Sequence, residues 1–536
     1  MLKIHSVPNG APETDIYSVS INGEKAKLNF ARVSAFPFNT PWPGHQRPLD
    51  QTEEAAFVSL ESDGEVYFKA NFCEDFSKAV VRPLSKNIET EIDEDGSIRF
   101  CLKEYGAYTL ELDGSHNALH IFFNPVRDFK EEAEEDKAKG RNVLYYGEGE
   151  HDAGDIDLDS HTTVIIDAGA VVYGSFSAYN KEDIKIKGYG IIDGSKEIRT
   201  NETLLLPFIN KPYETDKNLS TNETVFTKLD KYFEDESVFN KLGMYFERDR
   251  KDLFDKYMEE TKCLKGNIRF YFCKNSEVEG VIMRDASTFC LIPACCENIL
   301  IDNVKTIGMW RYNSDGIDIF NSSNVIVKNT FLRNFDDCMV IKGIVGWDNR
   351  NNENIIVENC VIWCDWGAAL EIGAETNAPE YRNIIYRNCD IIHGQASMLR
   401  IHHCNYADIH HITYENINAE YTKYQQSGII QNSDDEIYYS KLNTGHPQLV
   451  YLPIRSAVIY GRDAQKGFTH DISFKNIKVY KDSRVPEPVI EISGLNDEHK
   501  VENVSFENII IDGKKIETFD ESNIEINKFT NNITLK

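Results

Sequence analysis

Basic residues are scarce in this chain relative to acidic ones. Its 536 residues include 58 lysines and arginines against 87 aspartates and glutamates, which gives a formal net charge of -29. A charge of this sign repels nucleic acids and anionic membrane surfaces, so neither is an expected partner. It would not attract a highly anionic polymer either, and a neutral substrate suits it better.

Long apolar runs are absent as well. No segment approaches the roughly 18 consecutive apolar residues that a membrane-spanning helix requires. The first residues, MLKIHSVPNGAPETD, lack the apolar core of a signal peptide. We therefore expect a cytoplasmic location for the chain as given, or secretion if a signal segment has been removed.

Metal-binding cysteine patterns are also missing. The 12 cysteines include no CxxC pair and have no nearby histidines at metal-ligand spacing, so we expect neither a zinc site nor a disulfide framework. Cys360 and Cys389 each follow an asparagine of the repeat described below, which predicts interior positions for both as small hydrophobic side chains. We predict no metal and no cofactor.

The amino-terminal part of the sequence alternates apolar and polar residues. Segments such as IYSVSING, AKLNFARVSAF and EVYFKANF are separated by Gly, Asp, Asn or Ser turns. This pattern predicts an antiparallel β-sandwich domain over residues 1–126. The highly charged segment 127–140, RDFKEEAEEDKAKG, predicts a solvated linker or a short surface helix, and we place the domain boundary there.

A short phrase then recurs with variations, as in ENILIDN, SNVIVKN, ENIIVEN and RNIIYRN. Its last residues are Asn303, Asn329, Asn359, Asn388, Asn416, Asn476 and Asn508. Most intervals are 26 to 32 residues, and we interpret the single interval of 60 as two periods with one phrase lost. Such a period predicts a parallel β-helix over residues 141–536, in which equivalent residues stack about 4.8 Å apart. Asparagine at the recurrent turn can adopt the left-handed conformation and hydrogen-bond along the stack.

Two insertions interrupt the repeat. Residues 195–265 carry apolar side chains at helical spacing, which predicts a helical insertion packed on the solenoid. Residues 419–460 are rich in tyrosine without clear periodicity, which predicts a long loop. Long loops on a rigid scaffold often border a binding site.

Four aspartates stand about one coil apart. Asp315 and Asp318 precede one repeat, and Asp336 and Asp337 follow Asp315 by 21 and 22 residues, so stacking places them on one side of the solenoid. Crowded carboxyl groups raise one another's pKa, which permits a protonated acid beside an ionised base, as glycoside hydrolysis requires. We expect the acid to lie about 6.5 to 9.5 Å from at least one base. Asp336 and Asp337 can share a groove only at a strand end or a bulge, since neighbours within a strand point to opposite faces.

Tryptophans cluster in the same region. Of the five in the chain, Trp310, Trp347, Trp363 and Trp366 fall within one window of 57 residues that also holds the aspartates. An aromatic ring offers a face on which the C–H face of a sugar can stack. We predict that Trp310 and Trp366 contact substrate, and that core packing accounts for one or two of the others.

The repeats, with NSDGID at 313–318 and FDDCMVIKG at 335–343, resemble the polygalacturonase clan of glycoside hydrolases, family 28, and the related dextranases and isopullulanases of family 49. The resemblance implies a right-handed parallel β-helix and inversion at the anomeric carbon. It implies that Asp337 is the general acid, and that Asp315 and Asp336 hold and deprotonate the attacking water. The predicted substrate-binding residues are Trp310, Arg311, Asn313, Asp318, Lys342, Trp366, Glu371, Glu375, Arg400, His402 and His403.

Two elements of the family pattern differ in this chain. Where Gly-His-Gly is expected, the sequence is WGAALEIGAET (366–376), in which Glu371 and Glu375 are the polar candidates. Where Arg-Ile-Lys is expected, it has Arg400, Ile401 and His402. The lysine that would bind a uronic acid carboxylate is missing, and a sandwich followed by a β-helix is more similar to the dextranase side of the clan.

The sequence therefore predicts an inverting glycoside hydrolase that acts on an α-linked oligosaccharide or polysaccharide, either neutral and α-glucan-like or pectic. One alternative is a polysaccharide lyase of the pectate-lyase type, which needs calcium-binding carboxylates and a base. Another is a noncatalytic β-helix that binds carbohydrate. The sequence does not indicate the oligomeric state.

Overall fold

The computed structural model describes residues 1–34, 38–39, 52–114, 116–197, 266–311, 313–343, 350–395, 397–422, 428–429, 447–456, 465–483, 485–519 and 523–536. Over these residues the protein is almost entirely β-structure, as predicted. The predicted helical insertion at 195–265 lies almost wholly outside the described residues, and so does most of the predicted loop at 419–460. Within the described part of the chain, no helix is long and apolar enough to cross a membrane.

The amino-terminal unit is an extended sheet that encloses its own hydrophobic core. Its strands are β1 (Leu2–Ile4), β2 (Glu13–Ile21), β3 (Glu24–Ser34), β5 (Thr52–Ser62), β6 (Val66–Phe72), β7 (Ala79–Arg82), β8 (Glu91–Ile92), β9 (Ile98–Leu102), β10 (Gly106–Leu112) and β11 (Leu119–Asn124). Their order is β7-β10-β11-β5-β3-β2-β6-β9-β8, with β1 on β5, and every pair is antiparallel except β11–β5. Strand β4 (Phe38–Asn39) pairs separately with β35 (Gly428–Ile429), and a 3-10 helix spans Leu84–Lys86.

The charged segment that follows contains one short helix, α1 (Phe129–Ala138). Asp128 caps it, because its side chain accepts the N–H of Glu131 at 3.0 Å. Phe129 and Ala133 are buried on its inner face and pack beside Tyr189 of the solenoid. The helix is therefore attached to the solenoid by an apolar stripe, although most of its side chains are charged.

The rest of the described chain winds into a right-handed parallel β-helix, as predicted. Its strands form three parallel stacks, which we call faces A, B and C. Face A contains β12 (Asn142–Tyr146), β14 (Thr162–Ile166), β16 (Lys185–Gly188), β19 (Lys274–Glu279), β22 (Glu297–Asp302), β25 (Ser323–Lys328), β28 (Asn352–Glu358), β31 (Glu380–Arg387), β34 (Asp408–Tyr421), β37 (Phe468–Lys481), β39 (Val501–Ile511) and β42 (Thr530–Leu535).

Faces B and C follow face A along each coil. Face B contains β13 (Gly149–Asp157), β15 (Ala170–Tyr179), β17 (Ile191–Asp193), β20 (Ile282–Arg284), β23 (Lys305–Ile307), β26 (Phe331–Asn334), β29 (Val361–Cys364), β32 (Asp390–His393) and the end of β34. Face C contains the end of β15, β18 (Ile268–Tyr271), β21 (Leu291–Ala294), β24 (Ile317–Phe320), β27 (Met339–Gly343), β30 (Ala368–Thr376), β33 (Ser397–His403), β36 (Gln448–Pro453), β38 (Val489–Ser493) and β41 (Asn523–Ile526). A short β40 (Lys514–Lys515) pairs with β39 in antiparallel orientation.

The repeat asparagines occupy the turn between faces A and B. All seven have positive φ angles, between 52° and 56°. Several are joined side chain to side chain along the stack, for example Asn416 to Asn388 at 2.9 Å and Asn508 to Asn476 at 2.9 Å. The predicted left-handed turn and the predicted stacking are therefore both confirmed, because asparagine tolerates this conformation and its amide can donate and accept at once.

One prediction about the repeat is wrong. The 60-residue interval between Asn416 and Asn476 is a single coil and not two, since the two amides hydrogen-bond directly at 2.9 Å. Strands β34 and β37 pair over their whole length in the same register. The additional residues belong to the tyrosine-rich insertion, which leaves the coil at Tyr421 and returns at β36. A period measured along the sequence cannot distinguish an inserted loop from a lost repeat.

The interior of the solenoid is a continuous hydrophobic core. Cys360 and Cys389 lie inside it, 1% and 0% exposed, which confirms the prediction for these two side chains. All 11 cysteines of the described residues are free, and nine of them are buried.

The amino-terminal sheet packs against face B. Phe57 and Phe122 of the sheet form one buried cluster with Phe331 and Trp363 of the solenoid. Polar groups cross the same interface, where Arg333 contacts His120 at 2.7 Å. Buried polar groups of this kind require partners, so the two units are fixed relative to each other by hydrogen bonds as well as by apolar contact.

Asn354 offers a test of a second asparagine ladder, on the exposed side of face A. Its amide donates to Asn324 at 3.1 Å and accepts from Asn383 at 3.1 Å, with φ of +56°. We predict that Asn354→Ala lowers the free energy of unfolding by about 1 to 3 kcal/mol, through lost hydrogen bonds and a strained turn. Asn354→Gly should lose about 1 kcal/mol less, since glycine tolerates positive φ. Urea unfolding measures both, and equal losses would contradict a conformational role.

Candidate active site

The two aspartate motifs lie in adjacent coils at the edge of face C. Asp315 precedes β24 and Asp318 lies within it, while Asp336 and Asp337 form the turn between β26 and β27. Ile317 of β24 is paired with Met339 of β27. The N–H of Gly316 donates to the carbonyl of Asp337 at 2.8 Å, so the turn that carries one motif is hydrogen-bonded to the turn that carries the other.

The structure brings three of the four carboxylates together. One side-chain oxygen from each of Asp315, Asp336 and Asp337 lies within 4.8 Å of the others. This separation is shorter than the 6.5 to 9.5 Å expected from the sequence. The difference arises because the side chains converge from turns one rung apart, where adjacent strands are themselves only about 4.8 Å apart.

Asp336 and Asp337 can face the same space because they lie in a turn and not in a strand. Asp336 accepts the N–H of Asp337 at 3.0 Å through Oδ1 and the N–H of Asn313 at 3.3 Å through Oδ2. Asp337 accepts the N–H of Ala368, in the next coil, at 2.9 Å. Backbone amides from three segments therefore fix the two carboxylates. Asn313, predicted to bind substrate, contacts Asp336 through its backbone.

Lys342 of β27 lies at the centre of the acidic cluster. Its Nζ is 2.7 Å from Asp315, 3.0 Å from Asp318 and 3.7 Å from Asp337, and the residue is 6% exposed. A single ammonium group therefore faces three carboxylates. Asp318 is completely buried, so it serves as a counter-ion to Lys342 and cannot contact substrate as the sequence had suggested.

The protonation of the cluster follows from burial and from the position of this cation. Burial raises the pKa of Asp315 to about 6, opposed by Lys342. Burial also raises the pKa of Asp336 well above its usual range, and the charges of Asp315 and Asp337 add to this effect. Among the described residues, no ammonium or guanidinium nitrogen lies within 4.0 Å of the Asp336 carboxylate. Asp336 therefore keeps its proton more readily than Asp315 does.

The cluster is a poor site for a divalent metal. Three carboxylate oxygens within 4.8 Å would suit a cation in their spacing. The ammonium group of Lys342 already contacts Asp315 and lies 3.7 Å from Asp337, so it supplies the positive charge there. This arrangement disfavours the calcium site that the lyase alternative would require.

Two predicted ligand contacts are not possible in this structure. Trp310 is 2% exposed, and its indole N–H donates to Asp285 at 2.9 Å. Arg311 is 5% exposed and pairs with Asp285 at 2.7 Å. The guanidinium of Arg32, from the amino-terminal sheet, lies 6.0 Å from the Trp310 ring. Packing of that sheet on the solenoid therefore occupies this tryptophan, a contact that local sequence could not reveal.

Trp366 remains a candidate platform for a sugar ring. It is half-buried in the turn one coil beyond Asp336 and stacks on Phe335, with ring centroids 5.5 Å apart. Phe335 is completely buried and supports the indole from beneath. Trp363, in contrast, is 1% exposed and belongs to the interface core, while Trp347 lies outside the described residues.

Glu371 is one of the two polar candidates in the segment where the family pattern has Gly-His-Gly. It lies on β30 beside the cluster, is 1% exposed, and pairs with Arg400 at 3.1 Å. Burial raises its pKa well above the usual range, and the charge of Asp337 and a hydrogen bond to Asp337 add to this effect. Glu371 is therefore a buried partner of Asp337 and not a direct ligand contact. Glu375, at the end of β30, is half-buried and acts on Lys342 through its charge.

The three residues predicted on β33 differ in their surroundings. Arg400 contacts Nδ1 of His402 at 2.8 Å, and burial together with Arg400 lowers the pKa of His402 to about 2. His402 is therefore neutral and accepts from the guanidinium. His403 is completely buried, bonded to Thr469 at 2.8 Å and to the carbonyl of Asn405 at 3.0 Å. It is an interior structural residue, so its predicted role in substrate binding is wrong.

Two residues near Arg400 were missed by the sequence interpretation. Tyr451 of β36 is in register with Arg400, and its ring lies 5.5 Å from that guanidinium. The half-exposed Arg455 lies over the same ring at 4.9 Å. Both residues lie within the 60-residue interval between Asn416 and Asn476. Interpreting that interval as two coils places them one coil too far from the site.

Comparisons with known proteins agree with this geometry. The profile of Glycosyl hydrolases family 28 matches residues 251–450, which contain all the predicted site residues. An exopolygalacturonase of Arabidopsis thaliana is 28% identical over 130 residues, 24% of this chain and 29% of that protein. A polygalacturonase of Brassica napus is 27% identical over 146 residues, 26% of this chain and 34% of that protein. The chain thus spans about a third of the length of these relatives.

Solved structures show the same fold. Dex49A from Penicillium minioluteum has a TM-score of 0.60 at 13% identity, and the match covers 99% of this chain and 96% of the Dex49A chain. An exopolygalacturonase from Thermotoga maritima has a TM-score of 0.51 at 18% identity, and the match covers 76% of this chain and 87% of the Thermotoga chain. The predicted resemblance to the polygalacturonase-like clan of glycoside hydrolases is confirmed.

Replacing Lys342 should lower the free energy of unfolding by an amount that depends on pH. Lys342→Met leaves the buried carboxylates without their cation, so we predict a loss of about 3 to 5 kcal/mol in the free energy of unfolding at pH 7. The pKa of Asp315 is already raised to about 6, and losing the neighbouring cation should raise it further. At pH 5 the buried carboxyl groups of the variant are then protonated and neutral, so the loss should be smaller than at pH 7.

Urea unfolding at the two pH values measures this difference. Lys328→Met is the matched control, since Lys328 pairs with Asp302 at 3.2 Å on the outer side of face A and is 34% exposed. Its effect should stay below about 1 kcal/mol and should not change with pH. A pH-independent loss for Lys342→Met would show that the ammonium does not compensate the cluster.

Proposed function

We propose that this chain is a glycoside hydrolase that cleaves α-glycosidic bonds in a pectic oligosaccharide or polysaccharide, with inversion at the anomeric carbon. The observation that carries the proposal is the convergence of Asp315, Asp336 and Asp337, with oxygens within 4.8 Å, in a segment that matches family 28. Glycoside hydrolysis uses a carboxylic acid beside carboxylates. Inversion is proposed on the resemblance to family 28, because oxygens within 4.8 Å are closer than the separation of about 6.5 to 9.5 Å that is usual for inverting enzymes.

We assign the general acid to Asp336 and not to Asp337, which the family resemblance had implied. Lys342 places its positive charge beside Asp315 and Asp337 but not beside Asp336. Asp336 is also flanked by two carboxylates, and its raised pKa favours the protonated form. The proton that the leaving oxygen needs is therefore best held by Asp336.

Asp315 and Asp337 then serve as the pair that holds and deprotonates the attacking water. Two hydrogen bonds of about 2.8 Å each can span up to about 5.6 Å, so oxygens within 4.8 Å can share one water. As the bond between the anomeric carbon and the glycosidic oxygen breaks, Asp336 gives its proton to that oxygen. The water adds to the anomeric carbon from the opposite face and gives a proton to the Asp315 and Asp337 pair.

The surroundings of Arg400 favour a substrate that carries carboxylates. The guanidinium groups of Arg400 and Arg455 lie 5.5 Å and 4.9 Å from the Tyr451 ring, in the coils beyond Glu371. Arg455 is half-exposed and pairs with Glu491 at 3.3 Å, so a substrate carboxylate can reach a basic group beside the acidic cluster. Arginine is well suited to bind a uronic carboxylate. A neutral α-glucan is the other substrate class, because the lysine of the family motif is absent and Glu371 already engages Arg400.

A panel of substrates tests the proposal as a whole. We predict that oligogalacturonides are cleaved faster than neutral α-linked oligosaccharides, and that proton NMR at early times shows the anomer opposite to that of the substrate. Activity should persist in EDTA. A rise in absorbance at 235 nm would indicate a lyase, unchanged saccharides would indicate a binding protein, and retention of configuration would contradict the water-activating pair.

The role of Asp336 has a separate test. Asp336→Asn keeps the shape but removes the transferable proton, so turnover of a natural substrate should fall by about 10² or more. The loss should be much smaller for an aryl glycoside with an acidic leaving group, which needs little protonation. Asp337→Asn is the matched control and should be impaired on both substrates, because both need the water. If turnover of the aryl glycoside were near normal in Asp337→Asn but not in Asp336→Asn, Asp337 and not Asp336 would be the general acid.

A further inference from the structure

A second cleft lies away from the aspartates, where the amino-terminal sheet meets the turn between faces A and B. Its volume is about 540 Å³, within the usual range for small-molecule sites. On the coil that carries Asp336, the strand β26 separates this turn, at Asn329, from the catalytic turn. The cleft and the aspartates therefore lie at opposite edges of face B.

One wall of the cleft is aromatic and comes from the amino-terminal sheet. Tyr105 is 51% exposed, and its ring meets Phe123 edge to face with centroids 5.1 Å apart. Phe123 is 2% exposed, so it supports the tyrosine from the core of the sheet. Tyr105 thus presents a large, supported and accessible aromatic face with a hydroxyl group, which suits stacking against a sugar ring.

The opposite wall is a ladder of asparagine amides from the solenoid. Asn329, Asn359 and Asn388 are exposed and line the cleft in successive coils. Asn359 donates to Asn329 at 3.4 Å, and Asn329 donates to Asp302 at 2.8 Å. Each amide has two N–H groups and two lone pairs, and the side-chain hydrogen bonds of the ladder use at most one of each, so donors and acceptors remain for a ligand. They recur every 4.8 Å or so, comparable with the length of one sugar unit.

The two basic residues of the lining, Lys86 and Arg127, are each paired with a carboxylate. Lys86 pairs with Glu104 at 3.0 Å. Arg127 pairs with Glu132 at 2.6 Å and also contacts Glu279. With its basic residues already engaged, the cleft does not select an anion, and its aromatic and amide walls suit an uncharged ligand with many hydroxyl groups.

We infer that this cleft is a noncatalytic binding site for a short neutral oligosaccharide, which stacks on Tyr105 and hydrogen-bonds to the amides of Asn329, Asn359 and Asn388. This site lies beyond the proposed hydrolytic site and does not depend on it. It would hold a neutral section or side chain of a glycan while the aspartates act elsewhere on the same molecule.

Calorimetric titration of the full chain with maltotriose and with isomaltotriose tests the inference. The Asp336→Asn background prevents turnover, and at least one of the two sugars should bind. Tyr105→Ala should weaken this binding about tenfold, because it removes the aromatic face. Tyr67→Ala is the matched control, since Tyr67 is 58% exposed on the same sheet and outside the cleft, and its affinity should stay within twofold.

Two further measurements define the ligand and the independence of the site. Lys86→Gln should leave the affinity for the neutral sugar unchanged. Tighter binding of a short oligogalacturonide than of either neutral sugar, weakened by both Tyr105→Ala and Lys86→Gln, would show an anionic ligand in the cleft and overturn the inference. Tyr105→Ala in the otherwise unchanged chain should cleave a short oligogalacturonide at the unaltered rate. The inference would also be overturned if neither neutral sugar bound, or if Tyr105→Ala and Tyr67→Ala changed the affinity equally. Both outcomes can be judged whether or not the aspartates prove catalytic.

Discussion

The parallel hydrogen-bonded register of one coil on the next is the constraint on which the rest of this structure depends. Once β24 pairs with β27, and β27 with β30, residues separated by 22 to 33 positions in the chain become neighbours. The interior core and the asparagine ladders follow from the same register, because each coil repeats the same inward and turn positions. The acidic cluster is an ordinary consequence of that stacking, placed at a turn where side chains from two coils converge.

Electrostatics then decide what the cluster can do. Asp315, Asp318 and Asp336 are buried beside one lysine, and burial and neighbouring carboxylates raise the pKa of all three. Lys342 does not divide its charge evenly, since it contacts Asp315 and Asp318 closely, Asp337 at longer range and Asp336 not at all within 4.0 Å. The proposed assignment of Asp336 as the acid, and of Asp315 and Asp337 as the base, rests on this asymmetry.

The amino-terminal sheet changes the character of the solenoid it covers. Its packing on face B buries Trp310, which the sequence predicted to contact substrate, and also Trp363. It leaves two edges open, one near the aspartates and one at the asparagine turn where Tyr105 stands. The departures from the family pattern are equally local, because Glu371, from the segment where Gly-His-Gly is expected, lies beside Asp337 and pairs with Arg400.

By itself the sequence determined the β-helix, its asparagine turns, the interior cysteines and the pairing of the two aspartate motifs. Each of these features recurs at the spacing of one coil, and residues at that spacing stack on one another in a β-helix. Tertiary structure alone decided that the 60-residue interval is one coil, that His403 points inward, that Trp310 is covered, and that Asp336 lacks the cation its neighbours share. Those features depend on contacts between distant segments and on the distances from one ammonium group to each carboxylate, and no local pattern of residues records either.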